Sequence, residues 1–313
     1  MPSALLQPEL IGAVREIPAL RLPSPDLFAR RAGRARALAE GHDLGAFLRF
    51  AAVLAEAQQD VLDRSTASGR DLRALLDQCR IGGMPPLAHP GWQPDPHWAA
   101  LARSLAEHLT AASPDLLPDQ AKAACARILA SGDVWLAEQG HLLLDPDATE
   151  LPDLACAPLI GAAMQVAWTS QAARLNPDDV GPPAGAGLCP VCASPPVASI
   201  VRVGGAEDGA RYLHCGLCAS EWRLVRSQCS QCNNSRGITY LGLESRGEAV
   251  KAEACPECRS YLKICRMDKD LGVDPWADDL ATMALDWLVD QEGFTRAGIN
   301  FMMIQPEAPA TSA

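Results

Sequence analysis

Eight of the twelve cysteines in this 313-residue chain stand in four Cys-x-x-Cys pairs. The pairs are Cys189/Cys192, Cys215/Cys218, Cys229/Cys232 and Cys255/Cys258. The first and third begin 40 residues apart, as do the second and fourth, and 22 residues separate the two pairs of each unit. Thiolates two residues apart turn both sulfurs toward one ion, and two such pairs complete a closed tetrahedral site. The repeat therefore predicts two metal sites in tandem. Site 1 is Cys189, Cys192, Cys215 and Cys218; site 2 is Cys229, Cys232, Cys255 and Cys258. Spacing alone also admits an inner and an outer set, or an interleaved cross-brace, and the duplication favours the sequential pairing. His214 precedes a ligand cysteine but is expected to be a strand residue at a ribbon edge.

The duplication extends past the cysteines. Ala219-Ser220-Glu221-Trp222-Arg223-Leu224-Val225-Arg226 follows the second pair of unit one, and Arg259-Ser260-Tyr261-Leu262-Lys263-Ile264-Cys265-Arg266 follows that of unit two. Between its pairs each unit carries an extended segment, a Gly-bearing turn and a second extended segment. These are Val197–Val203 and Ala210–His214 in unit one, and Ile238–Leu243 and Ala249–Glu253 in unit two, where the turn is Glu244–Glu248. β-branched and aromatic content marks the strands, and glycine the turns. Each unit reads as a rubredoxin-like, or zinc-ribbon-like, hairpin. About 40 residues bury too little apolar surface to fold alone, so the metal is expected to supply much of each module's stability.

Upstream the apolar period is helical. Helices are expected from Ser24-Pro25-Asp26 to Gly41, then over Leu44–Arg64, Pro96–Ala112, Pro118–Ala130, Val134–Gln139 and Pro158–Leu175. Residues 176–187, rich in Pro, Gly and Asp, read as a flexible linker. Another helix is expected from Trp276 to about Gln291. The fold class is thus α+β: an α-helical domain (1–183), a first metal module (184–227), a second (228–270), and a C-terminal helix and tail (271–313).

Composition removes several functions. The net charge of −11 disfavours a nucleic-acid binder. Over residues 189–270, eleven Lys/Arg against nine Asp/Glu leave only +2, before the negative charge of the tetrathiolate sites. No apolar run reaches the roughly 20 residues needed to span a bilayer. The N-terminus shows no basic segment followed by an apolar run, so no export leader is expected and a reducing cytoplasm would keep the thiols available for metal. Catalytic constellations fail one by one. His97 and His108 do not share a helix level. Asp278-Asp279 reads as acids favouring a helix start. Arg30-Arg31 reads as a solvated helix face. Cys79, Cys125, Cys156 and Cys265 read as packing residues. No enzyme is expected.

The ribbons closely resemble the formate dehydrogenase accessory proteins of the FdhE type. The resemblance rests on Cys189-Pro190-Val191-Cys192, Pro196–Ser199, Arg211–Cys215, Glu221-Trp222, Val225-Arg226, Cys229–Cys232, Ala252–Cys255, Tyr261-Leu262-Lys263, Asp278–Ala281 with Ala277 before it, and Gly293-Phe294. The N-terminal similarity is thinner, carried by stretches such as Pro23–Phe28 and Ala55–Gln58. Two departures stand out: Ala193 replaces the Gly common after the first knuckle, and Asn300-Phe301 lacks an intervening proline. The resemblance implies a cytoplasmic, non-enzymatic maturation factor that binds the catalytic subunit of a respiratory formate dehydrogenase. It further implies two rubredoxin-type iron ions per chain, although four thiolates suit Zn²⁺ equally. Self-association into a homo-oligomer is left open. The rival readings are a zinc-ribbon nucleic-acid-binding protein and a rubredoxin-like electron carrier.

Overall fold

The helical period upstream of the cysteines becomes six α-helices among the described residues. In the computed structural model, residues 17–65, 76, 79, 83–92, 96–112, 115–145, 147–182, 185, 187–243 and 247–304 are described. The helices are α1 (Leu27–Ala39), α2 (Gly45–Arg64), α3 (Pro96–Ala112), α4 (Asp119–Ala130), α5 (Asp133–Leu144) and α6 (Ala157–Ala172). Helix α6 is apolar nearly all round, as a helix must be to sit inside a bundle. Its Leu159, Ile160, Met164, Val166 and Trp168 are buried, and it touches α2, α3 and α5. The expected N-cap of α1 is displaced: the helix begins at Leu27, and Ser24 instead accepts a bond from Arg30 through its hydroxyl.

Among the described residues the two cysteine units supply six of the eight strands of one sheet. Strands β2 (Pro196–Val201), β3 (Arg211–Cys215) and β4 (Glu221–Arg223) belong to unit one; β5 (Thr239–Leu241), β6 (Val250–Ala254) and β7 (Ser260–Arg266) belong to unit two. Each set is antiparallel, and the sets join where β2 runs parallel to β7, pairing Ser199 with Ile264 and Val201 with Arg266. Two further strands join the sheet: β1 (Leu20–Arg21) at its edge on β4, and β8 (Thr295–Arg296) on the first residues of β7, off the main strand order. The order is β1-β4-β3-β2-β7-β6-β5. The architecture is therefore the expected one, helices followed by tandem zinc-ribbon-like modules, with the modules fused into a single sheet. The unit-two turn residues 244–246 and linker residues 183, 184 and 186 lie outside the described residues.

One apolar core runs through both halves. It holds Phe28, Leu48, Leu54, Leu105 and Ile160 from the helices together with Val191, Leu213, Leu217 and Trp222 from unit one. The C-terminal segment locks the junction. Phe301 packs onto α6 at Gly161, where a Cβ would lie 2.5 Å from the Phe301 Cβ. Asn300 accepts a bond from Met302 N, starting the turn at Phe301 without the proline, and donates to Asp279 (2.9 Å).

Three sequence expectations are corrected. The C-terminal helix is two helices, α7 (Ala277–Ala281) and α8 (Met283–Gln291), divided at Thr282, whose backbone leaves the helical region (φ −115°, ψ 30°) while its hydroxyl bonds back to Asp278 O at 2.8 Å. Asp278 and Asp279 stand in the first turn of α7, as expected, and meet side-chain cations there as well. They are buried and paired, Asp278 with Arg34 and Asp279 with Lys263 and Arg296. Arg30 is exposed as expected, but Arg31 is buried between Phe28 and Trp276. His214 lies on β3, inside the sheet rather than at its edge, bonded to Arg31 and Glu221.

Candidate metal centres

Every one of the four knuckles has the same backbone. The residue after its second cysteine has a left-handed φ: Ala193 (64°), Ala219 (58°), Asn233 (61°) and Arg259 (57°). That reversal lets the N–H of the first cysteine bond to the carbonyl five residues on: Cys189 to Ser194, Cys215 to Ser220, Cys229 to Asn234, Cys255 to Ser260, at 2.8–3.0 Å. Three of the reversal residues also donate back to the first cysteine's carbonyl (Ala193, Asn233 and Arg259). The loop so tightened aims its N–H groups at sulfur. Leu217 N and Cys218 N reach Cys215 Sγ at 3.4 and 3.3 Å, and Gln231 N reaches Cys229 Sγ at 3.4 Å. Such donors favour the thiolate, the form that binds metal.

The knuckles converge in sequential pairs. Cys189, Cys192, Cys215 and Cys218 form one cluster, and Cys229, Cys232, Cys255 and Cys258 the other, with all sulfurs of a cluster within 4.8 Å. The closest separations are 3.6 Å (Cys189–Cys218), 3.4 Å (Cys192–Cys215) and 3.6 Å (Cys229–Cys258 and Cys232–Cys255). None of these is a disulfide length, and all twelve cysteines are free. A tetrahedron with ligand bonds of about 2.3 Å has edges of about 3.8 Å, so the donor set fits a four-sulfur ion. In site 2, burial opposes ionisation of Cys255, but N–H groups of Cys258 and Glu257 and the Asn234 amide bring it down to about 6. A serine beside the last cysteine of each unit is duplicated too: Ser220 and Ser260 hydroxyls lie 3.3 and 3.0 Å from Cys218 and Cys258 Sγ.

The surroundings of the two clusters differ. All four sulfur-bearing residues of site 1 are at most 1% exposed and sit in the shared core. The helical half covers both of its knuckles. Leu87 N and His89 N donate to the carbonyls of Val191 and Cys192 (2.8 and 3.0 Å), and Gln165 of α6 donates to Gly216 O (2.7 Å). Site 2 has Cys229 and Cys255 inside, while Cys232 and Cys258 reach the surface among exposed Gln231, Asn233, Pro256 and Glu257. Beside site 1, Arg31 donates to His214 Nε2 (2.9 Å), leaving His214 Nδ1–H to donate to Glu221 (3.0 Å). Burial alone would raise the Glu221 carboxyl, but the His214 bond and Arg202 hold it down at about 2. Sequence reasoning missed the covering residues and this relay, because their partners lie far along the chain. Arg31 had one legible sign, its position three residues after Phe28 on the buried stripe. Cys79, Cys125, Cys156 and Cys265 are buried apart from the clusters, and burial pushes their thiols up. His97 and His108 join neither cluster.

Three family models match consecutive parts of the chain: "FdhE, N-terminal" over 17–184, "FdhE, central domain" over 188–226 and "FdhE, C-terminal domain" over 227–303. Similar proteins include the "Protein FdhE homolog" of Edwardsiella ictaluri, 40% identical with 92% of each chain covered. That of Pseudomonas aeruginosa is 37% identical, covering 97% of this chain and 98% of the relative. The crystal structure of the FdhE protein from Pseudomonas aeruginosa superposes with a TM-score of 0.84 at 36% identity, covering 93% of this chain and 100% of the other. No helix among the described residues is long and apolar enough to cross a membrane.

Proposed function

The chain belongs to the FdhE family, and from that membership we propose that it is a formate dehydrogenase accessory factor. In this reading it binds the catalytic subunit of a respiratory formate dehydrogenase in the cytoplasm, is required for that enzyme's activity, and catalyses no reaction of its own. The observation that carries the reading is the gathering of eight thiols into two closed four-sulfur sets within a chain that matches FdhE models from residue 17 to 303. A four-thiolate site offers no open position to a substrate, so folding, docking and electron transfer are its uses. We assign iron to both sites, with zinc as the alternative. Bound iron supplies a one-electron couple, whereas zinc supplies a cross-link only. The eight cysteines are the ligands, and knuckle N–H groups donate to the sulfurs of Cys215 and Cys229.

The test is genetic and biochemical together. Deleting the gene should abolish respiratory formate oxidation while the dehydrogenase subunits are still made, and tagged full-length protein should copurify the catalytic subunit. Metal analysis of anaerobically prepared protein should return two iron ions per chain. Normal formate oxidation in the deletion strain, with no copurifying subunit, overturns the accessory reading. The electron-carrier reading draws on the exposed Cys232 and Cys258, and it predicts turnover with a reductase and no client complex.

A further inference from the structure

The two candidate sites share one knuckle geometry and differ in what lies over them. Site 1 is sealed: its four cysteines are at most 1% exposed, both knuckles accept hydrogen bonds from the helical half, and its walls belong to the main core. Reaching any of its sulfurs requires that core to open. Site 2 presents Cys232 and Cys258 to solvent, and the residues around them are exposed, Gln231, Asn233 and Glu257 being polar. Its cysteines belong to none of the apolar clusters among the described residues.

We propose that site 2 is a ligand-exchange site for a soft external donor, a small thiol or a chelator, while site 1 is a permanent structural centre. This rests on the reading that both clusters bind metal. The entering thiol approaches from the Cys258 side. Its sulfur forms a bond to the ion as the bond to Cys258 Sγ breaks, and the proton it loses passes to the departing Cys258 sulfur. No oxidant or reductant takes part, and charge is conserved. The Ser260 hydroxyl, 3.0 Å from Cys258 Sγ, stabilises that sulfur as it leaves. Cys229 and Cys255, inside the module, keep hold of the ion during the exchange. Site 1 has the same serine, Ser220 at 3.3 Å from Cys218, but it is buried, so the difference between the sites is access rather than ligand chemistry. An ion that can be passed to or from an outside ligand therefore sits in site 2 alone.

The experiment uses full-length zinc-loaded protein and the chromogenic chelator 4-(2-pyridylazo)resorcinol. One equivalent of zinc should leave in a fast phase and the second at least about tenfold more slowly, since the slow phase waits on opening of the core. Iodoacetamide added during the fast phase, read by peptide mass spectrometry, should mark Cys232 and Cys258 while Cys189, Cys192, Cys215 and Cys218 stay unmarked. Cys258→Ser should abolish the fast phase or its ion and leave the slow phase unchanged. If that variant does not fold, the labelling map of the unaltered protein decides. Release of both ions in one phase, or early labelling of site 1, overturns this inference and leaves the two-metal reading standing. Protein that takes up neither zinc nor iron overturns both.

Discussion

Ala193 and Ala219 occupy left-handed backbone that a Cβ makes costly, about 1–2 kcal/mol relative to glycine, yet each is held there by its knuckle. Glycine loses more entropy on folding, about 0.5–1 kcal/mol, so Ala193→Gly should stabilise the metal-loaded protein by a net amount on the order of 0.5–1 kcal/mol. A higher denaturant midpoint with unchanged metal content is the expected result. Ala198→Gly, on the buried strand β2 with an ordinary backbone, should move the midpoint the other way. At Asp279 the stakes are larger. Its carboxylate is fully buried, 3.1 Å from Lys263 Nζ and 2.7 Å from Arg296, and also accepts from Asn300. Burial pushes its pKa up, but Lys263 and Arg296 win and hold it below the usual carboxylate range. Asp279→Asn leaves two cations sharing only Asp286, and breaking one member of a buried network costs about 3–5 kcal/mol. Equilibrium unfolding at neutral pH measures it.

At the scale of elements, charge stitches together strands that are remote in sequence. Glu221 on β4 takes His214 from β3, Arg202 just after β2, and Arg21 from β1. A carboxyl held at about 2 in the folded chain contributes stability that is fully present above its unfolded value of roughly 4.5. That contribution is lost as pH falls through about 2. The stability difference between the protein and Glu221→Gln should therefore be flat from neutral pH to about 5 and shrink below about 4.5. A difference that grows on acidification would contradict this assignment of charge. These strand junctions also show where sequence reading stops. The eight clustered cysteines, most of the helices and the hairpin strands of the two units were legible because each follows from local spacing or period, whereas β1 and β8 were not. The parallel junction of β2 with β7 and the pairing of Leu20 with Trp222 were not, since both join segments through contacts that no local pattern encodes. Arg31 reads as a surface base on composition; its place after Phe28 hints at burial, and the distant His214 and Trp276 complete the explanation.

For the whole molecule, the decisive fact is that the main core does not stop at the linker. Cys189, Val191, Cys192, Leu213, Cys215, Leu217, Cys218 and Trp222 belong to the same cluster as Phe28, Leu54, Leu105 and Ile160. A helical domain with a core of its own would ignore the fate of either metal module. This arrangement predicts an asymmetric response. Replacing Cys189 and Cys192 together by serine removes two ligands of site 1 and leaves polar groups inside the shared core, where unsatisfied hydroxyls cost about 1–3 kcal/mol each. The knuckle should open, and with it the bonds from Leu87, His89 and Gln165 that tie module to helices. Replacing Cys229 and Cys232 should cost one ion and loosen β5 and its neighbours, while the helices keep their core. Limited proteolysis and helical circular dichroism of the two double variants, each beside the unaltered protein, separate the outcomes. The expected result is faster cleavage within residues 27–172 and reduced thermal stability of the helical signal for the first variant only. Equal loss in both variants would mean that the sheet junction transmits unfolding from site 2 as readily as the shared core does from site 1. No loss in either would mean that the helices stand alone despite the core they share.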